Sequence, residues 1–282
     1  MSEYSNPDVP HEVNVSEKTP LRDFLRLSLG AFLAIGVLAS FVFFAARYFA
    51  PMIPFRYEEA LNANALKPLF RGELAPPCLI KAEEALQNLA DELARAMALS
   101  DDMRLYVHLS ADAEPNAFAT LGGNIVVNRG LFKHIGSENA LAMVLAHEIA
   151  HIKNRDPIAA MGGGIALSVL FSALIGNSDG GSLLSFSVAT ARTSFSRDQE
   201  SAADKEAIAA LRKYYGYTNG ADEFFLYILQ NSSALPNAPV FLSSHPATPS
   251  RIKEIQASFS PDPQTLKPLS ETLQNLENCG FD

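Results

Sequence analysis

His147, Glu148 and His151 form the pattern HExxH, and their types and spacing point to metal-assisted hydrolysis. Two histidines four residues apart project one above the other from one face of an α-helix. A pair placed so can hold one zinc ion at ~2.0–2.1 Å from each ring. Glu148 follows the first histidine directly, where its carboxylate can reach a water held on the metal. Zinc lowers the pKa of that water towards neutrality, and a neighbouring carboxylate can take its proton. That combination cleaves amide bonds.

A five-residue pattern also arises by chance, so the surrounding chain has to support it. Between Ser137 and Asn154 the apolar residues Leu141, Val144, Leu145, Ile149 and Ile152 recur at spacings of three and four. The periodicity predicts an amphipathic helix with Ser137 as N-cap, Glu138 in the first turn and Pro157 to stop it. The bland alternative is a core-packed helix that carries two surface histidines.

Catalytic zinc usually has three protein ligands and an open position. Downstream, Ser196 and Gln199 fit a capping box at a helix start, and Ala203, Ala207, Ile208 and Leu211 give that helix a buried face. Glu200 and Asp204 are four apart and share another face. Glu200 can then ligate zinc while Asp204 accepts the outer N–H of a ligand histidine. A solvated acidic face is the commoner fate of such a pair. The neighbouring Ala202 and Ala203, which permit close helix packing, and the upstream HExxH favour the ligand reading.

Three stretches, HEIAHIKNRD, SRDQESAAD and SSHPATPSRI, resemble the metallopeptidase family that includes HtpX, the mitochondrial Oma-type proteases and the CaaX prenyl proteases. Residues 116–119, 122–127 and 129–131 resemble it too, so the likeness runs over roughly residues 75–260. The resemblance implies a zincin-like, zinc-dependent endopeptidase with His147, His151 and Glu200 as ligands to one Zn2+ and Glu148 as the catalytic base. It also implies protein or peptide substrates and a place in protein quality control at or near a membrane. Some members carry a further histidine where this chain has Asp156, a departure that touches no catalytic role.

Asn116, Ala117, Phe118 and Ala119, then a glycine pair, then Ile125, Val126 and Val127 read as two strands around a turn. In the family's pattern the first is an edge strand near the active site, able to pair with a substrate backbone. An ordinary hairpin would have the same residues. His245 and Arg251 lie in and after a Pro-rich loop that leads into a helix starting near Pro249. Donors there could stabilise the oxyanion of peptide hydrolysis, and the resemblance gives His245 a catalytic place. Without it, His245 reads as a surface loop residue. His11, His108 and His134 have no ligand spacing.

The rest of the chain sets the context. Leu27 to Ala46 is apolar and uncharged between Arg26 and Arg47. At 1.5 Å per residue it spans about 30 Å, the thickness of a bilayer core. Tyr48 and Phe49 suit the interface. The expected organisation is a polar tail at 1–26, a transmembrane anchor at 27–47, a linker at 48–74 and a zinc metalloprotease domain at 75–282. Lys18, Arg22 and Arg26 precede the span, and Arg47 and Arg56 follow it. The positive-inside rule then puts the tail in the cytoplasm of a single-pass inner-membrane protein, with the catalytic domain on the periplasmic or extracytoplasmic side. In such an oxidising space Cys78 and Cys279 can bridge; two unpaired thiols are the alternative.

The net charge of −9 comes with no basic stripe, which argues against a nucleic-acid partner. Gly162, Gly163 and Gly164 lack the strand–turn–helix context of a phosphate loop. Ile158 to Ile175 is almost as apolar as the anchor but is predicted not to span. His147 and His151 before it and Glu200 after it must meet at one ion, and no return crossing of adequate length follows. It is expected to pack on the domain as a core helix or to lie at the membrane surface as a flap.

The fold class is mainly α with a small β-sheet. Strands are predicted at 104–109 and 125–127. Helices are predicted at 79–99, 138–154, 158–175, 196–213, 221–231 and 249–258, with a last short one at 268–278. The competing reading is a catalytically silent zinc-bearing binding or chaperone-like membrane protein. Glu148 argues against it, because a structural zinc site needs no base. Oligomeric state is not legible.

Overall fold

The computed structural model describes residues 20–59, 77–164, 195–231, 245, 248–262, 264–276 and 279. The chain divides into two compact units, Met1–Val42 and Phe43–Asp282. Helix α1, Pro20–Phe49, contains most of the first. Among the described residues it is the one helix long and apolar enough to cross a membrane, over Leu21–Met52 with a mean hydropathy of 2.4. Its Leu27, Phe32, Val37 and Phe41 are exposed. The uncharged stretch within it, Leu27 to Ala46, is suited to lipid.

In the second unit the chain turns in after α1. Ala50, Phe55 and Glu58 are buried, although all three fall in the expected 48–74 linker. Arg155 holds this segment by donating to the Ile53 carbonyl at 2.6 Å and to Glu58 at 2.8 Å. Residues 60–76 lie outside the described residues.

Helix α2, Pro77–Ala96, buries Leu79, Ala82, Leu86, Leu89, Ala90 and Leu93, a stripe of threes and fours. Strands β1, Tyr106–Ser110, β2, Ala117–Thr120, and β3, Asn124–Asn128, form one sheet in the order β1-β3-β2. β1 is parallel to β3, and β2 is antiparallel to it with Ala119 opposite Ile125. The two edges differ. On β1, the Val107 and Leu109 N–H groups donate to Gln87 and Glu83 of α2, each at 2.9 Å, so helix side chains cover that edge. β2 is the other edge. The turn from β2 to β3 passes through Gly122 and Gly123 at φ 66° and 76°. A Cβ on Gly123 would strike the Arg104 carbonyl, so only glycine fits.

Helix α3, Glu138–Lys153, carries HExxH, and Ser137 caps it by accepting from the Ala140 N–H. The expected amphipathic pattern is not what the fold uses. Every residue from Asn139 to Ile152 is buried, so the helix runs through the centre of the domain. The histidines are therefore interior, and the surface-histidine alternative falls. Asn154 ends the helix, Arg155 takes a left-handed conformation (φ 60°), and helical residues 156–164 follow. Pro157 thus sits in the first turn of the next helix, where it has no N–H to lose, rather than simply ending α3. Of the predicted 158–175 helix, residues 165–175 lie outside the described residues, as does the glycine-rich stretch after them.

Helix α4, Arg197–Tyr215, starts with both halves of the expected Ser196–Gln199 capping box and ends at Gly216 with φ 84°. It packs along α3. Helices α5, Glu223–Asn231, α6, Pro249–Ala257, and the short α7, Glu271–Gln274, follow among the described residues. Cys78, at the start of α2, and Cys279 form a disulfide, the bridged one of the two alternatives.

Candidate active site

α3 and α4 bring their polar residues to one buried point. His147 Nε2 and His151 Nε2 lie 3.1 Å apart. Glu200 Oε2 is 3.5 Å from the first and Glu200 Oε1 3.4 Å from the second. His245 joins them, with Nδ1 2.8 Å from Glu200 Oε1 and 3.2 Å from His147 Nε2. One donor atom from each of these four residues fits within 4.8 Å, and all four residues are buried.

The outer atoms fix the tautomers. His147 Nδ1 faces Asp204 Oδ1 at 3.0 Å, and His151 Nδ1 faces Asp156 Oδ2 at 2.8 Å. A carboxylate requires N–H on the nitrogen facing it, so in the neutral rings that bind a metal both Nε2 atoms turn lone pairs towards the centre. Two imidazole lone pairs and a carboxylate converging away from water repel one another unless a cation or proton lies between. The donor set therefore fits a zinc ion. Burial works against charge on His147, but Asp204 and Glu200 outweigh it and push its pKa up to about 10. Burial alone would raise the Asp204 carboxyl; Arg251 and His147 hold it down at about 2. Burial also opposes ionisation of Glu200, yet the three histidines around it keep its carboxyl far below the ordinary range.

Arg251, from the first turn of α6, closes one side. Its Nε and one terminal nitrogen donate to the two oxygens of Asp204 at 2.6 and 2.8 Å, and the other terminal nitrogen lies 2.6 Å from Glu200 Oε2. Its guanidinium also covers the Phe225 ring. On the other side Gln199 donates to Asp156, and Phe195 stacks on His151 with ring centres 4.1 Å apart. Glu148 is fully buried beside the donors. Its Oε2 accepts from the Ala119 N–H of β2 at 2.7 Å, and its Oε1 lies 3.7 Å from His245 Nε2.

The sequence profile of Peptidase family M48 matches residues 81–258, more than half of the chain. The chain belongs to this family. Among its curated relatives, a putative β-barrel assembly-enhancing protease of Vibrio cholerae is 28% identical over 61% of this chain and 39% of its own length. The mitochondrial metalloendopeptidase OMA1 of Schizosaccharomyces pombe is 28% identical over 64% of this chain and 54% of its own. A protease HtpX homologue of Salinibacter ruber is 27% identical over 61% and 73%. The chain spans between 31% and 39% of the length of the β-barrel assembly-enhancing proteases.

Within this M48 domain the structure brings together His147, Glu148, His151, Glu200 and Asp204 as their spacing implied. Asn116, just before β2, and Ala117 are buried and Phe118 is half-buried, and Ala119 of β2 touches Glu148. The bland alternative for His245, a surface residue, falls: it is buried and its Nδ1 lies among the donors. Arg251 is tied to Asp204 and Glu200. Sequence reasoning missed Asp156 as the partner of His151, because a left-handed residue intervenes and breaks the helical count. It also missed the side-chain reach of Gln199 and the Phe195 stack.

Proposed function

We propose that the chain is a membrane-anchored zinc endopeptidase of protein quality control, acting on misfolded or membrane-associated proteins. The observation that carries the reading is the pairing of a buried base with a pre-oriented donor set. Glu148 is beside the cluster without being part of it, and Ala119 holds its carboxylate in place. His147, His151 and Glu200 would hold the ion, oriented by Asp204 and Asp156. A zinc ion there would polarise the scissile carbonyl and acidify the attacking water. Glu148 takes the proton from that water and passes it to the leaving amine. β2 offers an edge against which the substrate backbone lies, near Asn116, Ala117 and Phe118. His245, whose Nε2 lies 3.7 Å from Glu148 Oε1, assists at the amide being cleaved. α1 crosses the inner membrane once and the domain faces the periplasmic side, a reading supported by the charges around the span and by the disulfide.

His245 also favours a second reading. Four donors are what a closed, non-catalytic site has, and a silent zinc-bearing binding protein would keep them. Casein digestion by the purified chain, with and without a zinc chelator, separates the two. Activity that chelation removes supports the peptidase. Glu148→Gln should abolish cleavage, by at least about a hundredfold on the scale of lost acid–base catalysis, while zinc content stays at the parent's level. Substantial turnover by Glu148→Gln at matched metal content would sink the mechanism.

A further inference from the structure

We propose that Arg47, at the end of the apolar helix α1, is a positioning residue for the metal site, acting on His151 through Gln199 and Asp156. The inference rests on the zinc reading of the donor set. Its observation is a continuous run of hydrogen bonds. Arg47 donates to Gln199 Oε1 at 2.8 Å. Gln199 Nε2 donates to Asp156 Oδ1. Asp156 Oδ2 accepts from His151 Nδ1 at 2.8 Å.

The amide in the middle gives Arg47 its leverage. A glutamine side chain can turn over and exchange its acceptor for its donor at little cost in shape. Here the acceptor faces two donors, Arg47 and the Ser196 backbone N–H at 3.0 Å. Turned over, Nε2 would point at a guanidinium and Oε1 at a carboxylate, and both contacts repel. Arg47 thus keeps a donor on Asp156. That bond leaves Asp156 Oδ2 aimed at the ring, and the ring keeps its Nε2 lone pair on the cluster.

The elements that carry these groups meet at the same end of α1. A Cβ on Gly162 would come within 2.8 Å of the Ala50 Cβ and 3.2 Å of the Ala46 carbonyl. A Cβ on Gly163 would come within 2.5 Å of the Phe43 ring. The two glycines therefore let helical residues 156–164, which begin at Asp156, lie directly on the last turns of α1. Ala50, Ile158, Met161 and Leu121 form a small apolar cluster beside that crossing. Gln199 opens α4, and the next residue is the ligand Glu200. The end of the apolar helix is thereby built into the support of one ligand and the start of the helix bearing another.

The test uses the full chain in detergent micelles. Zinc affinity is measured by competition with a chromophoric chelator, and ligand geometry by the visible spectrum of the Co2+-loaded protein. Gln199→Glu keeps the acceptor for Arg47 and Ser196 but removes the donor to Asp156. It should weaken zinc binding about tenfold, the low end for groups behind a ligand, and shift the Co2+ bands. Arg47→Met should weaken it about 2–5-fold, a step further out on the same scale, and Arg47→Lys should recover most of that loss. The double variant should be no worse than Gln199→Glu by more than about twofold, because both act in one chain. Parent-like affinity and spectra in both single variants, or losses that multiply, overturn the proposal. His147→Ala should bind zinc far more weakly than any of them; parent-like binding there would instead remove the zinc reading itself.

Discussion

Behind His147 a carboxylate meets a guanidinium directly; behind His151 a carboxylate meets an amide first. The two arms do the same work, since Asp204 and Asp156 each fix a tautomer and a ring plane. They are built differently. The Asp204–Arg251 arm is closed inside the domain, with three charge-assisted contacts from one guanidinium to Asp204 and Glu200. The Asp156–Gln199 arm has a neutral middle and runs out to the half-buried Arg47. The first arm is strong and self-contained; the second ends on the helix that precedes the domain.

The largest effect should come from the guanidinium. Arg251→Met leaves two buried carboxylates without their counter-charge, at a cost of about 3–5 kcal/mol, and chemical denaturation of the metal-free protein should show it. A loss under about 1 kcal/mol would mean that the histidines alone neutralise the pair. Next, Asp204→Asn should weaken zinc binding by about 10–100-fold. Asp156→Asn should fall at the lower end of that range, since Phe195 still stacks on the His151 ring. If the order is reversed, the amide arm is the stronger and the comparison is wrong. The smallest effect belongs to the helix crossing. Gly162→Ala gains about 0.8–1 kcal/mol of helix propensity but forces a Cβ towards Ala50 and the Ala46 carbonyl, an overpacking of about 1–3 kcal/mol. A slightly lowered Tm is expected, and a raised Tm would show that the crossing is loose.

Much of the site was legible because it follows helical arithmetic. His147 and His151, and Glu200 and Asp204, are each four apart, and Ser137, Ser196 and Gln199 mark the helix starts at Glu138 and Arg197. The apolar helix α1, its charged flank at Arg47 and the glycine turn before β3 were legible for similarly local reasons. What escaped was set by chain reversals. Asp156 returns to His151 only because Arg155 is left-handed. Phe55 and Glu58 read as linker, since nothing local shows that Arg155 and Gly122 will bind them. The full burial of α3 escaped because three of its polar residues are donors or base, which makes an interior helix look two-faced. His245 could be ranked by resemblance alone; it is 45 positions from Glu200 and 98 from His147, so no local spacing shows that they meet.

The Cys78–Cys279 bridge closes a ring over 201 positions of sequence, and His147, Glu148, His151, Glu200 and His245 all lie inside it. A single backbone cut anywhere in that ring, by whatever protease, produces two fragments joined by one covalent link. The nicked molecule keeps every donor and travels as one species until a thiol is added. Scission within the ring can therefore slacken a loop without shedding a part, and damage or maturation at that level is visible only under reducing conditions.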